Sequence, residues 1–184
     1  MRDAAELARF VAARPGMLAP LAAVAAHGPP GAWIGAGFLR NAVWDALSGR
    51  DPGPIPPADL DVVFHDPADA SPARDAAAEA ALSAAAPGLP WSVANQARMH
   101  LRNGHAPYRD LADALAHWPE TATAVAAQLG PAGVEVLAPH GLDDLFGLIL
   151  RPTPAHRARP AAMLARAAAK AWTARWPALR VLTA

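Results

Sequence analysis

The stretch "WIGAGFLRNAVWDAL" (33–47), followed after a Pro-rich connection by "DLDVVFHD" (59–66), decides how this chain reads. A short apolar run over 32–35 enters Gly35-Ala36-Gly37 as a buried strand would. From Phe38, the apolar residues Leu39, Val43 and Leu47 recur in steps of four, which predicts a helix ending near Ser48-Gly49. Residues 59–65 alternate instead, with Leu60, Val62 and Phe64 on one strand face and Asp59, Asp61 and Val63 on the other.

Two chemistries use a glycine turn between strand and helix. A dinucleotide fingerprint needs a third glycine for close helix–strand packing, and Arg40 stands in its place. Its ribose-binding acid would be Asp66, about 29 residues past the turn where about 20 is expected. An NAD-binding oxidoreductase is therefore the weaker reading. A phosphate site fits better: glycines admit close approach of backbone N–H groups, the helix N-terminus favours negative charge, and Arg40 adds a charge-assisted contact. Asp59 and Asp61 lie at i and i+2 on one face, where like charges repel unless a cation lies between them. Mg²⁺ takes one or two carboxylates together with phosphate oxygens and water, so a cation site follows directly on a phosphate cradle. The plain alternative is an edge strand showing acids to solvent.

Around this centre the chain reads as helices mixed with short strands. Leu7, Phe10 and Val11 form a helix face within 3–13, and a second helix is expected over about 17–26 before "HGPPG" stops it. Ser71-Pro72 caps a helix to about 85, "PWSVANQARMH" (90–100) reads as a strand, and 110–117 as a helix. "TATAVAAQL" and "VEVLAP" flank "GPAG" as a hairpin, "LDDLFGLIL" (142–150) reads as helix, and 160–175 as a terminal helix. The expected fold class is α+β around a small mixed sheet, in a single domain over 1–184: N-terminal helices at 1–28, a core at 30–150 and a C-terminal helix at 155–178.

Composition narrows the chemistry. Of sixteen basic residues only Lys170 is a lysine, and sixteen acidic residues bring the formal charge to zero. That argues against extended non-specific nucleic-acid binding. There is no cysteine, hence no disulfide, thiolate metal site or cysteine nucleophile. Walker, G-x-S-x-G and H-E-x-x-H motifs are missing. "MRDAAELARF" lacks the apolar core of a signal peptide, and Pro15, Pro20 and "GPPG" interrupt the one uncharged stretch, so no membrane association and a cytoplasmic location are expected.

"GAGFLRNAVWDALSGR…DLDVVFHD" resembles the head of CCA-adding enzymes and poly(A) polymerases, members of the polymerase-β nucleotidyltransferase superfamily. It is still more similar to small bacterial nucleotidyltransferase-family proteins. That likeness extends over roughly 30–180 through "NQARMHLRN" (95–103), "HWPETATAV" (117–125), "APHGLDDLF" (138–146) and "RPTP" (151–154). The resemblance implies a mixed sheet flanked by helices and transfer of a nucleotidyl group from an NTP to an acceptor hydroxyl, with Mg²⁺ or Mn²⁺ as cofactor. Asp59 and Asp61 match its catalytic, metal-binding carboxylates, Gly35 and Gly37 its phosphate-contacting turn, and Arg40 its helix arginine. Asn41 stands where CCA-type heads carry an aspartate.

A third acid is usual on a neighbouring strand, and Asn95 falls in its place; Glu135, Asp143 and Asp144 are possible replacements. Asparagine ligates weakly and cannot act as a base. A catalytically inactive nucleotide-binding or interaction module of the same fold is thus the second reading. Gln96, Arg98 and His100 would share one strand face as a wall for nucleotide or acceptor, joining Asn41 and Asn95 among the nucleotide-binding candidates. Trp118 is either a base-stacking ring or a turn anchor, and Trp172 and Trp176 read as helix-end packing. The acceptor is left open among a small molecule, a protein hydroxyl and an RNA end, with long nucleic acid ranked last.

Overall fold

The structure, a computed structural model, describes residues 1–51 and 59–183. Most of the Pro-rich connection read in the sequence lies outside these residues. Helix α1 (Ala4–Ala12) starts where Asp3 accepts the Glu6 N–H, and α2 (Pro15–His27) places proline where no N–H is needed. Strand β1 (Trp33–Gly35) leads through Ala36 into α3 (Gly37–Leu47), and β2 (Leu60–Phe64) follows. Ser71 caps α4 (Pro72–Ala85) as its sequence predicts, accepting the Arg74 N–H. The chain continues as β3 (Trp91–Asn95), α5 (Met99–Asn103) and α6 (Leu111–Ala116), then the hairpin β4 (Ala126–Gly130) and β5 (Gly133–Leu137). It closes with α7 (Asp143–Phe146), β6 (Ile149–Leu150), α8 (Pro160–Ala169), α9 (Trp172–Arg175) and β7 (Arg180–Val181).

Five strands form one mixed sheet in the order β3-β2-β1-β4-β5, with β2 and β3 parallel and the other pairs antiparallel. Register puts Ile34, Val62, Val93 and Ala127 in one row, facing the core that α1, α2 and α4 cover. The opposite face carries Asp61, Val63, Ser92 and Ala94. The antiparallel β1–β2 pair removes the dinucleotide reading, which requires parallel strands on either side of the glycine turn.

Three segments depart from their sequence patterns. The strand expected over 90–100 ends at Asn95, and 96–98 turn as a 3₁₀ helix into α5. Gln96, Arg98 and His100 therefore do not share a strand face. Only α7 of the helix expected at 142–150 forms, because Leu148 adopts φ +50° and hands the chain to β6, which pairs with β7. The terminal helix is likewise broken, at Ala171 with φ +49°. The hairpin begins at Ala126, since 121–125 form a turn. No single helix among the described residues is long and apolar enough to cross a membrane.

Candidate active site

The glycine turn is built differently from its sequence pattern. The left-handed residue is Ala36 (φ +54°, ψ −122°), whose N–H donates to the Val125 carbonyl at 3.0 Å. Gly35 is the last residue of β1, and a Cβ there would sit 2.8 Å from Cη2 of Trp118 and 3.3 Å from the Val125 oxygen. Its missing side chain accommodates the indole. Gly37 opens α3, with its backbone at the N-terminus of that helix.

Beside this turn lies a cleft of two lobes that meet at Ala36, Asp61 and Arg166. The first, of about 220 Å³, brings Asp59 and Asp61 together with Arg40, Arg166, Lys170 and Arg175, and Gly37 and Asn41 line it too. Four cations thus face two acids. The second, of about 270 Å³, lies over β2 and β3 and is bounded by Val63, Ala94, Gln96, Trp118 and Thr123.

Asp59 is exposed at the start of β2, and Asp61 is half-buried one alternation further in. Burial pushes the Asp61 carboxyl above the usual aspartate range, and the charge of Asp59 adds to this; Arg166, Arg40 and Lys170 pull the other way. Arg40 is 4% exposed, donating to Thr123 Oγ1 at 2.7 Å and to Asn41 Oδ1 at 2.9 Å, with its guanidinium 4.2 Å from the Trp172 ring centre. Burial lowers its pKa to about 10, against the opposing pull of Glu120, so it remains a cation at neutral pH. Arg40 is both a lining cation and the peg that joins α3, the 121–125 turn and α9.

The C-terminal arm supplies what the sequence reading missed. Trp172 and Trp176 pack edge-on against Trp44, and Asp45 holds both Arg175 (2.7 Å) and the Trp176 indole N–H (2.8 Å). These contacts carry Arg166 and Lys170 over the acids. The chain's sole lysine, retained in an arginine-rich composition, was the available signal for Lys170. Glu120 was also missed: it is fully buried, neither carboxylate oxygen has a hydrogen-bond partner among the described residues, and Arg166 Nε lies 3.6 Å away.

Of the residues singled out in the sequence, Gly37, Arg40, Asn41, Asp59 and Asp61 meet in the first lobe, and Gln96 lines the second. The remaining candidates point elsewhere. Gly35 is occupied by Trp118. Asn95 pairs with Phe64 on the core face, opposite Asp61, and its amide is consumed by Asp66, Asp69 and Ala97. The β3 residues on the Asp61 face are Ser92 and Ala94, so Asn95 does not face Asp61 and the β3 positions that do carry no carboxylate. Arg98 pairs with Asp75, and His100 Nδ1 donates to the Ala97 carbonyl at 2.8 Å. Glu135 is bonded to Gln128, Asp144 to Thr121 and Arg151, and Asp143 is exposed; none lines either lobe. Among the described residues, no three His, Cys, Asp or Glu side chains converge as a metal site.

A family model described as nucleotidyltransferase matches residues 22–181. The chain belongs to the nucleotidyltransferase family. A protein whose NMR structure reveals a CCA-adding enzyme head domain is 29% identical, with a TM-score of 0.84 over 99% of this chain and 97% of that one. A CCA-adding enzyme in complex with ATP is 17% identical, with a TM-score of 0.56 over 98% of this chain and 42% of its own; that likeness is one of fold. No curated protein matches the sequence. The five-stranded mixed sheet flanked by helices is the head-domain fold, and nucleotidyl transfer is the general chemistry of the family.

Proposed function

We propose that this nucleotidyltransferase-family protein binds a nucleoside triphosphate in the first lobe and transfers its nucleotidyl group to an acceptor hydroxyl. The carrying observation is that Asp59 and Asp61 open into the same lobe as Gly37, Arg40, Arg166 and Lys170. Two carboxylates with phosphate oxygens and water meet the usual demand of Mg²⁺ or Mn²⁺, and burial together with the charge of Asp59, which raise Asp61, are costs that a divalent cation held by these acids would offset. The donor set fits such an ion, which when bound would stabilise charge on the triphosphate.

The chain's own residues have separable tasks. Arg166 and Lys170 neutralise the β- and γ-phosphates, the N–H groups at the start of α3 orient them, and Arg40 holds the lobe's floor in place. The acceptor hydroxyl gives up its proton to solvent as its oxygen bonds to the α-phosphorus, the bond from that phosphorus to the α–β bridging oxygen breaks, and pyrophosphate leaves on the cationic side. The ATP complex of a CCA-adding enzyme that shares this fold supports an NTP as donor. Asp61→Asn is expected to abolish Mg²⁺-dependent NTP binding in calorimetry while leaving the fold intact; an unchanged titration would overturn the site assignment.

A second reading has its own observation: with Ser92 and Ala94 beside Asp61, the second lobe offers, among the described residues, no further carboxylate to take the acceptor's proton. This favours a nucleotide-binding module without turnover. Labelled NTPs with Mg²⁺ and cell extract as acceptor source separate the two. Pyrophosphate release supports transfer, whereas binding without release over a wide acceptor panel supports the module.

A further inference from the structure

The second lobe is the part of the cleft that a triphosphate leaves empty. Its wall is Trp118, fixed from two ends. The indole N–H donates to Gln96 Oε1 at 3.2 Å, and the far edge of the ring occupies the space left by the missing Gly35 side chain. Gln96 is itself tied down, donating from Nε2 to the Ala94 carbonyl at 3.2 Å. The other aromatic rings of the cleft are already committed: Trp172 and Trp176 are 3% and 1% exposed, packed on Trp44, with Arg40 over Trp172. Trp118 is half-buried and is the aromatic side chain that lines the second lobe.

From this arrangement we propose that the second lobe is the nucleoside subsite, with Trp118 as the wall for the base, and that it discriminates little between bases. The inference rests on the nucleotide-binding reading of the first lobe. A nucleoside is attached to the α-phosphorus, which that reading puts beside Asp61, where the two lobes join. It must leave that point away from Arg40, Lys170 and Arg175, and the second lobe, which shares Arg166 with the first and adds Arg102, opens there. At about 270 Å³ the lobe lies just below the roughly 300–1,000 Å³ of small-molecule pockets, which is room for one ring-bearing group rather than two.

Weak discrimination follows from the hydrogen-bond accounting. Both ends of the Gln96 amide are engaged within the protein, and Thr123 Oγ1 accepts from Arg40. These groups hold the wall and floor instead of reading a base edge, and Ser92, Arg102 and Arg166, which also line the lobe, offer donors to the acceptor atoms that every base carries. Packing of a base on an indole is tolerant of base identity, because every base has a π-face.

The test uses the whole chain with Mg²⁺ and titrates the four NTPs and inorganic tripolyphosphate by calorimetry. The wild-type protein should bind each NTP at least about tenfold more tightly than tripolyphosphate, with the four NTPs within about fivefold of one another. Trp118→Leu should weaken NTPs about tenfold and leave tripolyphosphate unchanged, and Trp118→Phe, which keeps an aromatic wall, should restore most of the loss. Tripolyphosphate bound as tightly as NTP by the wild type overturns the subsite while leaving the first-lobe reading standing. So does NTP affinity unchanged in Trp118→Leu, which would hand the lobe to the acceptor. A strong preference for one base overturns the claim of weak discrimination. Failure to bind either ligand overturns both readings together.

Discussion

Asp45→Ala tests the claim that a buried polar clasp holds the C-terminal arm over the acids. Asp45 is 4% exposed and accepts from two donors of that arm. Removing it leaves the indole N–H of Trp176, a residue 1% exposed, without its 2.8 Å partner. An unsatisfied buried donor costs about 1–3 kcal/mol. The Arg175 contact at 2.7 Å is charged, but its side chain is 38% exposed, so solvent screening leaves it at about 1 kcal/mol or less. Together the loss is about 1–4 kcal/mol, which for a domain of this size lowers Tm by roughly 3–15 °C. Asp45→Asn keeps an acceptor oxygen and should lose only about 1 kcal/mol. Differential scanning calorimetry on both variants, and on Trp176→Phe in each background, measures the clasp directly. Trp176→Phe should be milder by about 1 kcal/mol or more once Asp45 is already alanine. A Tm for Asp45→Ala within about 2 °C of wild type would refute the reasoning, since the indole N–H would then have found another partner.

Other outcomes follow from single observations. Because the folded state holds Asp61's proton to higher pH than the unfolded chain does, ionising this group costs stability as pH rises above its unfolded pKa of about 4. Without added divalent ions, Asp61→Asn should therefore melt above wild type at pH 7, and the two curves should converge on acidification towards pH 4, roughly the unfolded aspartate value. Gly35→Ala forces a methyl against Trp118 and the Val125 carbonyl and should destabilise by about 1–3 kcal/mol in urea unfolding. Lys170 is exposed, so Lys170→Met should shift stability by less than about 0.5 kcal/mol. The same variant should weaken tripolyphosphate binding about tenfold in calorimetry, as expected for loss of a charge-assisted contact.

Local pattern carried the elements around the acids because each depends on residues near it in sequence. The steps of four from Leu39 predicted α3, the alternation at 59–65 predicted β2, and Ser71-Pro72 predicted the start of α4. The pairing of Asp59 and Asp61 in one lobe with Gly37 and Arg40 was likewise legible, since a strand–turn–helix–strand unit brings its own ends together. The same logic failed at Gln96, Arg98 and His100. A polar run after a strand does not say whether it alternates or turns, and the 3₁₀ turn at 96–98 points these side chains three ways.

By itself, then, the sequence determined the fold class, the helix that follows the glycine turn and the placing of the two acids, because periodicity, capping and an i, i+2 spacing act over a few residues. Tertiary structure alone decided which face of β3 meets Asp61: a parallel register puts Ser92 and Ala94 there and turns Asn95 into the core. It also decided that Arg166 and Lys170 face acids more than a hundred residues earlier in the chain, through Trp172, Trp176 and Arg175 packed on Trp44 and Asp45. Burial of aromatic rings and pairing of a buried carboxylate are set by whichever surfaces meet in three dimensions, and no local spacing encodes that meeting.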